Sequence, residues 1–305
     1  MTIPTSTPTT AGPADPAVGS STGSPARRRP QSRDGRTNWP ATITLMVCSL
    51  AVLVPLFVTI NMSLKTTQQA VDGRAFTLPS PLSIEGFIEA WQLTSFPRGL
   101  AISAMVTAIS VVGEIVISAL AAYAIARNWD RRLFRWSFFY LLAAMFIPFP
   151  VVALPQVQLT GIVGLDNPFG VAIMHIVFAL AFNTMLFTAF LRSIPMSLEE
   201  SMRVDGASTW QVFVRLIFPL LAPMAATVGI FAFLGSWNDY MMPNMITTNP
   251  ELQTLPVLQQ IFQTQFSNNY NVSFASYLMA MAPAIVVYIV TQKWVISGLT
   301  QGAVK

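Results

Sequence analysis

Six long apolar stretches, separated by more polar segments, constrain this chain more than any other feature. They run roughly over residues 41–62, 100–126, 134–155, 169–192, 214–236 and 274–297. Each is about the 20 residues needed to cross a hydrocarbon core about 30 Å thick. Backbone amides have no water partner at that depth, so the spans must be helices, and the expected class is an all-α polytopic membrane protein. Composition agrees: 53% of the 305 residues are hydrophobic and 10% charged, against about 25% charged in a soluble domain. Pro148, Pro150 and Pro155 are expected to kink the third stretch or end it early, and Pro219 and Pro223 to do the same near the start of the fifth.

Residues 1–38 are rich in Pro, Ser, Thr and Gly without an apolar run, so a disordered tail is expected there, followed by a membrane domain over 39–305. The long polar lead carries no small-residue cleavage motif at the usual place, which argues for an uncleaved first span. Cys48 is the single cysteine and follows Val47, which excludes a disulfide framework and disfavours a lipidated N-terminus.

Basic residues set the orientation. Arg27, Arg28, Arg29, Arg33 and Arg36 precede the first span. Arg127, Arg131, Arg132 and Arg135 follow the second, Arg192, Arg203 and Arg215 lie at or beyond the end of the fourth, and Lys293 and Lys305 lie near or beyond the end of the sixth. The opposite loops hold only Lys65, Arg74 and Arg98. The positive-inside rule then puts both termini in the cytoplasm, so the net charge of +4 is a topology signal, with no nucleic-acid partner expected.

The break between the fourth and fifth spans is unlike a simple loop. Ser197 followed by Glu200 fits a capping box, Asp205-Gly206 should break the helix, and Ser208 with Gln211 repeats the capping pattern. Two short cytoplasmic helices over about 197–212, joined at a tight glycine turn near the membrane surface, are expected. Caps and Asp-Gly turns are common structural devices, so the residues alone leave open whether this hairpin does more than connect two spans.

The segment resembles the conserved cytoplasmic loop of permeases in binding-protein-dependent ATP-driven importers, Glu-Ala-Ala, two variable residues, then Asp-Gly-Ala, with Phe and Pro downstream. Glu200, Asp205, Gly206, Ala207, Phe213 and Pro219 match, while Ser201 and Met202 replace the two alanines. The likeness extends over residues 40–305 and narrows to the sugar-importing branch through Ala122-Tyr123-Ala124-Ile125-Ala126-Arg127 and Ser236-Trp237-Asn238-Asp239. The ending Gly298 to Lys305 is similar to the tail of the smaller permease in heterodimeric, maltose-type sugar importers.

The resemblance implies a type I importer permease fold in a bacterial inner or plasma membrane. Its implied partners are a second, larger permease, an ATPase dimer and an external solute-binding protein. It implies that Glu200, Ser201, Asp205, Gly206, Ala207, Phe213 and Pro219 shape coupling helices seated on the ATPase. By the same resemblance Gly302, Ala303, Val304 and Lys305 reach the ATPase interface, and the sugar is held mainly by the larger permease.

No catalytic constellation or metal-ligand cluster stands out, and no cofactor site is expected. A P-loop needs Gly before its Lys, and Lys65, Lys293 and Lys305 follow Leu, Gln and Val. Energy must then come from another polypeptide or from an ion gradient, and the resemblance implies ATP and Mg on the partner ATPase. Within the spans, Glu114 is the principal charge, with His175 and Asn183 two helical turns apart in the fourth. They are candidates for a solute pathway or for hydrogen-bonded contacts between helices, where Gly113 and Ser118 would allow close approach. An ion-gradient carrier using Glu114 is the rival class, and within the importer class a non-sugar solute remains an alternative. The outer segment 238–273, rich in Asn, Gln and aromatics, reads as an exposed loop; the resemblance implies a surface for the binding protein there, to which Trp91 and Phe96 of the 63–98 loop would add.

Overall fold

The computed structural model describes residues 39–72, 74–264 and 269–303, with side chains described as far as Gln292, Thr264 excepted. The tail 1–38 and the residues Val304 and Lys305 lie outside the described residues; Gly302 and Ala303 fall within a helix whose side chains there are not described. The chain separates into a unit ending at Ser49, whose described part is the helical stretch from Trp39, and a unit from Leu50 onward that holds every side-chain contact discussed below.

All described elements are helical. α1 spans Trp39–Ser63, and the short α2 (Thr67–Val71) and α3 (Glu85–Leu93) lead into α4, Phe96–Arg127. α5 (Arg132–Ala144) and α6 (Phe149–Ile162) precede α7, Pro168–Leu191. α8 (Ser197–Val204) and α9 (Thr209–Val212) form a hairpin, continued by a π-turn over Phe213–Ile217 and by α10 (Phe218–Leu220) into α11, Ala222–Trp237. α12 (Met241–Ile246), α13 (Leu255–Leu258) and α14 (Ile261–Thr264) precede the last helix, α15, Tyr270–Ala303.

Four of these helices are long and apolar enough to cross a membrane unaided, and six spans result if each of two bent pairs crosses once. The third expected stretch is two helices, α5 and α6, meeting at 105°. Pro148 sits at the break: it is extended at ψ 139 and has no amide to donate, while the amides of Met145, Phe146 and Ile147 close three-residue turns that finish α5. Pro150 falls in the first turn of α6, where a missing amide costs nothing, and Pro155 is carried inside the helix instead of ending it. The fifth stretch bends by 73° between α10 and α11. The amides missing at Pro219 and Pro223 leave a gap there, bridged by the Phe218 amide reaching back to Phe213 and by Leu221 to Ile217.

α4 is the central helix, packed along α7 and α11 and touched by α3 and α13. Small side chains let it approach α7 closely: a Cβ on Gly113 would lie 2.2 Å from Ile176 Cδ1, while Ser110, Ser118, Ala119 and Ala122 are buried beside it. One apolar core gathers Tyr123, Phe187, Leu191, Val212, Phe213 and Ile217 at the hairpin end of α4. A second, around Val106, Val171, Met242 and Ile246, lies toward its other end.

The segment after α11 is not an exposed loop as far as it is described. Ser103 Oγ accepts the Leu255 amide at 2.8 Å, and Leu255, Val257 and Phe262 are buried. Trp237 Nε1 donates to the Ala280 carbonyl at 3.1 Å, and Gln259 donates to that of Ser276 at 3.0 Å. Periodicity missed this because three short helices alternate with turns too quickly for a 3.6-residue repeat to emerge. Residues 265–268 lie outside the described set. On the same side Phe96 is buried and Trp91 half exposed, with ring centroids 5.1 Å apart.

Candidate functional site

The α8–α9 hairpin is built by local chemistry. Its turn is a complete Schellman motif: the Gly206 amide donates to Arg203 O and the Ala207 amide to Met202 O, both at 3.0 Å. The motif needs a left-handed residue at its fifth place, and Gly206 takes φ +87 without a Cβ to strain it. Ser208 then forms the expected capping box: its Oγ accepts the Gln211 amide at 3.3 Å, and Gln211 Oε1 accepts the Ser208 amide at 2.8 Å.

The first expected capping box does not form. α8 is capped by Met196 in helical conformation with no side-chain cap, and Ser197 lies inside the first turn. The chain already turns at Pro195 and Met196, whose carbonyls accept the amides of Leu198, Glu199 and Glu200. That shifts the helix start by one residue and frees Glu200 from the capping role.

The residues expected to couple to an ATPase divide into two sets. Glu200, Ser201, Asp205, Gly206 and Pro219 are exposed. Phe213 is 4% exposed, packed against Tyr123, Trp210 and Phe218 with centroids 5.3–5.9 Å apart. Ala207 packs against the same core. Beside the exposed set stand two large apolar side chains open to solvent, Val204 at 87% and Trp210 at 63%. Charged, small and apolar groups together on one projecting hairpin have the make-up of a protein contact.

Glu199, which sequence reasoning passed over, is 1% exposed. Arg127 Nε at the end of α4 donates to its Oε1, and Tyr123 OH donates to its Oε2 at 2.9 Å. Arg127 had been read as a topology charge and as the end of the stretch that resembles the sugar-importing branch, not as a partner of the hairpin. The available signal was Tyr123 and Arg127 four residues apart, hence on one face of α4.

The three polar residues inside the spans come together with a fourth. Asn183 Nδ2 donates to Glu114 Oε2 at 2.9 Å, across the α4–α7 contact. His175 does not pair with Asn183. Its Nδ1 lies 3.1 Å from Ser110 Oγ and its Nε2 2.9 Å from Asp239 Oδ2, an arrangement that a neutral ring protonated at Nε2 satisfies on both sides. Asp239, just beyond α11, also accepts the amides of Met241 and Met242 through Oδ1 and so starts α12. Glu114, His175, Asn183 and Asp239 line a cavity of about 280 Å³ together with Phe178, Phe182 and Phe231. A lining that combines hydrogen-bonding groups with aromatic side chains suits a polar solute with apolar faces.

Comparison with known proteins places these features in a family. The model for the inner membrane component of binding-protein-dependent transport systems matches residues 114–301. The chain is 33% identical to the multiple sugar-binding transport system permease protein MsmG of Streptococcus mutans, over 86% of this chain and 95% of that protein. It is 31% identical to the melibiose/raffinose/stachyose import permease protein MelC of Bacillus subtilis, over 90% of this chain and 99% of that protein. Among solved structures it is similar to a chain of a bacterial ABC transporter that imports the acidic polysaccharide alginate. The TM-score is 0.71 at 24% identity, covering 84% of this chain and 95% of that one, a likeness of fold. With more than half its length inside the family model and near full-length relatives above 30% identity, this multi-pass membrane protein belongs to the family of inner membrane components of binding-protein-dependent transport systems.

Proposed function

We propose that the chain is a permease subunit of an ATP-driven importer, translocating an oligosaccharide or related carbohydrate handed over by an external binding protein. The observation that carries this reading is membership of the binding-protein-dependent family together with near full-length relatives named for sugar import. The arginines beside α4, α7 and the hairpin support an orientation with both termini and the hairpin in the cytoplasm of a bacterial cell. The hairpin then faces a separate ATPase dimer, which binds ATP and Mg and breaks the phosphate bond. No bond is made or broken in this subunit.

Glu200, Ser201, Asp205 and the Gly206 turn form the docking surface in this reading, with Phe213 and Ala207 holding it on the core and Pro219 bending the chain into α11. The tail from Gly302 to Lys305 adds a second contact with the ATPase. A second permease completes the pathway, to which the cavity at Glu114, His175 and Asn183 contributes. Closure of the ATPase dimer moves the seated hairpin, and with it the bundle, between inward- and outward-facing states.

The test is uptake of labelled melibiose and raffinose into cells expressing the complete set of subunits, repeated in proteoliposomes loaded with ATP. Uptake that stops with vanadate and survives an uncoupler is expected. Uptake that survives vanadate and stops with the uncoupler overturns the reading in favour of an ion-driven carrier.

A further inference from the structure

The hairpin carries two adjacent glutamates with opposite environments: Glu200 is exposed, while Glu199 is buried. A carboxylate removed from water is costly unless its oxygens are matched, and here both are. Oε1 accepts from Arg127 Nε and Oε2 from Tyr123 OH at 2.9 Å, with the Arg203 guanidinium 4.0 Å from Oε2 at the rim. Arg127, its side chain only 10% exposed, also donates to the Ile194 carbonyl at 3.4 Å and so holds the α7–α8 linker. Tyr123 itself belongs to the apolar core that includes Phe213, Val212, Leu191 and Ile194.

We propose that Glu199 and Arg127 form the mechanical joint through which movement of the hairpin reaches α4. This rests on the importer reading above. Apolar packing alone would let α8 slide against the end of α4, because dispersion is not directional. An N–H donor and an O–H donor fixed on one carboxylate define both distance and orientation, so α8 and the end of α4 move together. The partner engages the hairpin on its exposed side, through Glu200 and its neighbours, and displacement leaves on the buried side through Glu199. α4 carries that displacement to Glu114, 13 residues and about 20 Å along the same helix. Glu199 and Arg127 are positioning residues: they touch neither ATP nor solute, and they set how much of one movement becomes the other.

The experiment uses the complete importer in proteoliposomes and compares wild type with Glu199→Gln, Tyr123→Phe and the exchange Glu199→Arg with Arg127→Glu. Three quantities are read: ATPase recovered with the tagged chain, basal ATP hydrolysis, and sugar taken up per ATP hydrolysed when sugar-loaded binding protein is added. Glu199→Gln is expected to leave the first two near wild type and to lower the third about tenfold, with a smaller drop for Tyr123→Phe. The exchange is expected to recover part of the loss in uptake per ATP, while a merely structural role would show instead as altered ATPase recovery or basal hydrolysis. Wild-type uptake per ATP in Glu199→Gln would overturn the proposal. So would loss of ATPase recovery in that variant, since the pair would then serve only to fold the docking surface. A wild-type chain that recovers no ATPase would overturn the importer reading itself, a distinct result from either.

Discussion

His175 Nε2 lies 2.9 Å from Asp239 Oδ2, joining the middle of α7 to the residue that starts α12. The contact carries two duties at once, because the other Asp239 oxygen caps α12 through the Met241 and Met242 amides. Asp239→Ala removes both. The expected result is a loss of about 1–3 kcal/mol of stability, read as a lower unfolding temperature in detergent, with reduced sugar uptake. Asp239→Asn keeps an oxygen for the cap and is expected to lose less. Equal losses in the two variants would mean that the cap contributes nothing.

The two serines of the hairpin should behave differently although both sit three residues before a Glu or Gln. Ser208 accepts a real capping bond and Ser197 accepts none. Ser208→Ala is expected to cost about 1 kcal/mol, and Ser197→Ala to remain within about 0.5 kcal/mol of wild type. Thermal unfolding of the two purified variants checks this, and a larger effect for Ser197→Ala would contradict the geometry.

Gly206 has open space around the position of a Cβ, so size is not what demands glycine there. Its φ of +87 is. Gly206→Ala should therefore cost about 1–2 kcal/mol through backbone strain alone, while Gly206→Asn, which tolerates that conformation better, should cost less. The readout is the amount of ATPase recovered with each variant. Loss that followed side-chain size instead would place the cause in the docking contact.

At Gly113 the reverse holds, because a Cβ would meet Ile176 Cδ1 at 2.2 Å. Gly113→Val should force α4 from α7 and destabilise the protein by about 1–3 kcal/mol. A second change, Ile176→Ala, makes room and is expected to restore part of the loss. An additive double variant would argue against direct contact.

The spans were legible from hydrophobic length, since lipid leaves a chain of this kind no choice but helices. The hairpin was legible because Asp205-Gly206 and Ser208 with Gln211 are local devices whose partners lie a few residues away. Ser197 misled for the same reason: a local pattern competes with the turn that Pro195 begins upstream, and the sequence does not say which wins. Glu199 and Asp239 were missed because their partners lie 72 and 64 residues away. Such pairings depend on which face each helix presents, and in near-uniformly apolar helices that face carries no periodic mark. The break between α5 and α6 was anticipated at the right prolines, but not that Pro148 alone would make it.

The most direct test of the account is mild-detergent purification of the tagged chain from its own cells, with identification of what travels with it. An ATPase and a second permease are expected, both retained by Glu199→Gln and both lost on Glu200→Arg and on Gly206→Pro. A chain that purifies alone, or only with itself, and still supports transport would contradict it.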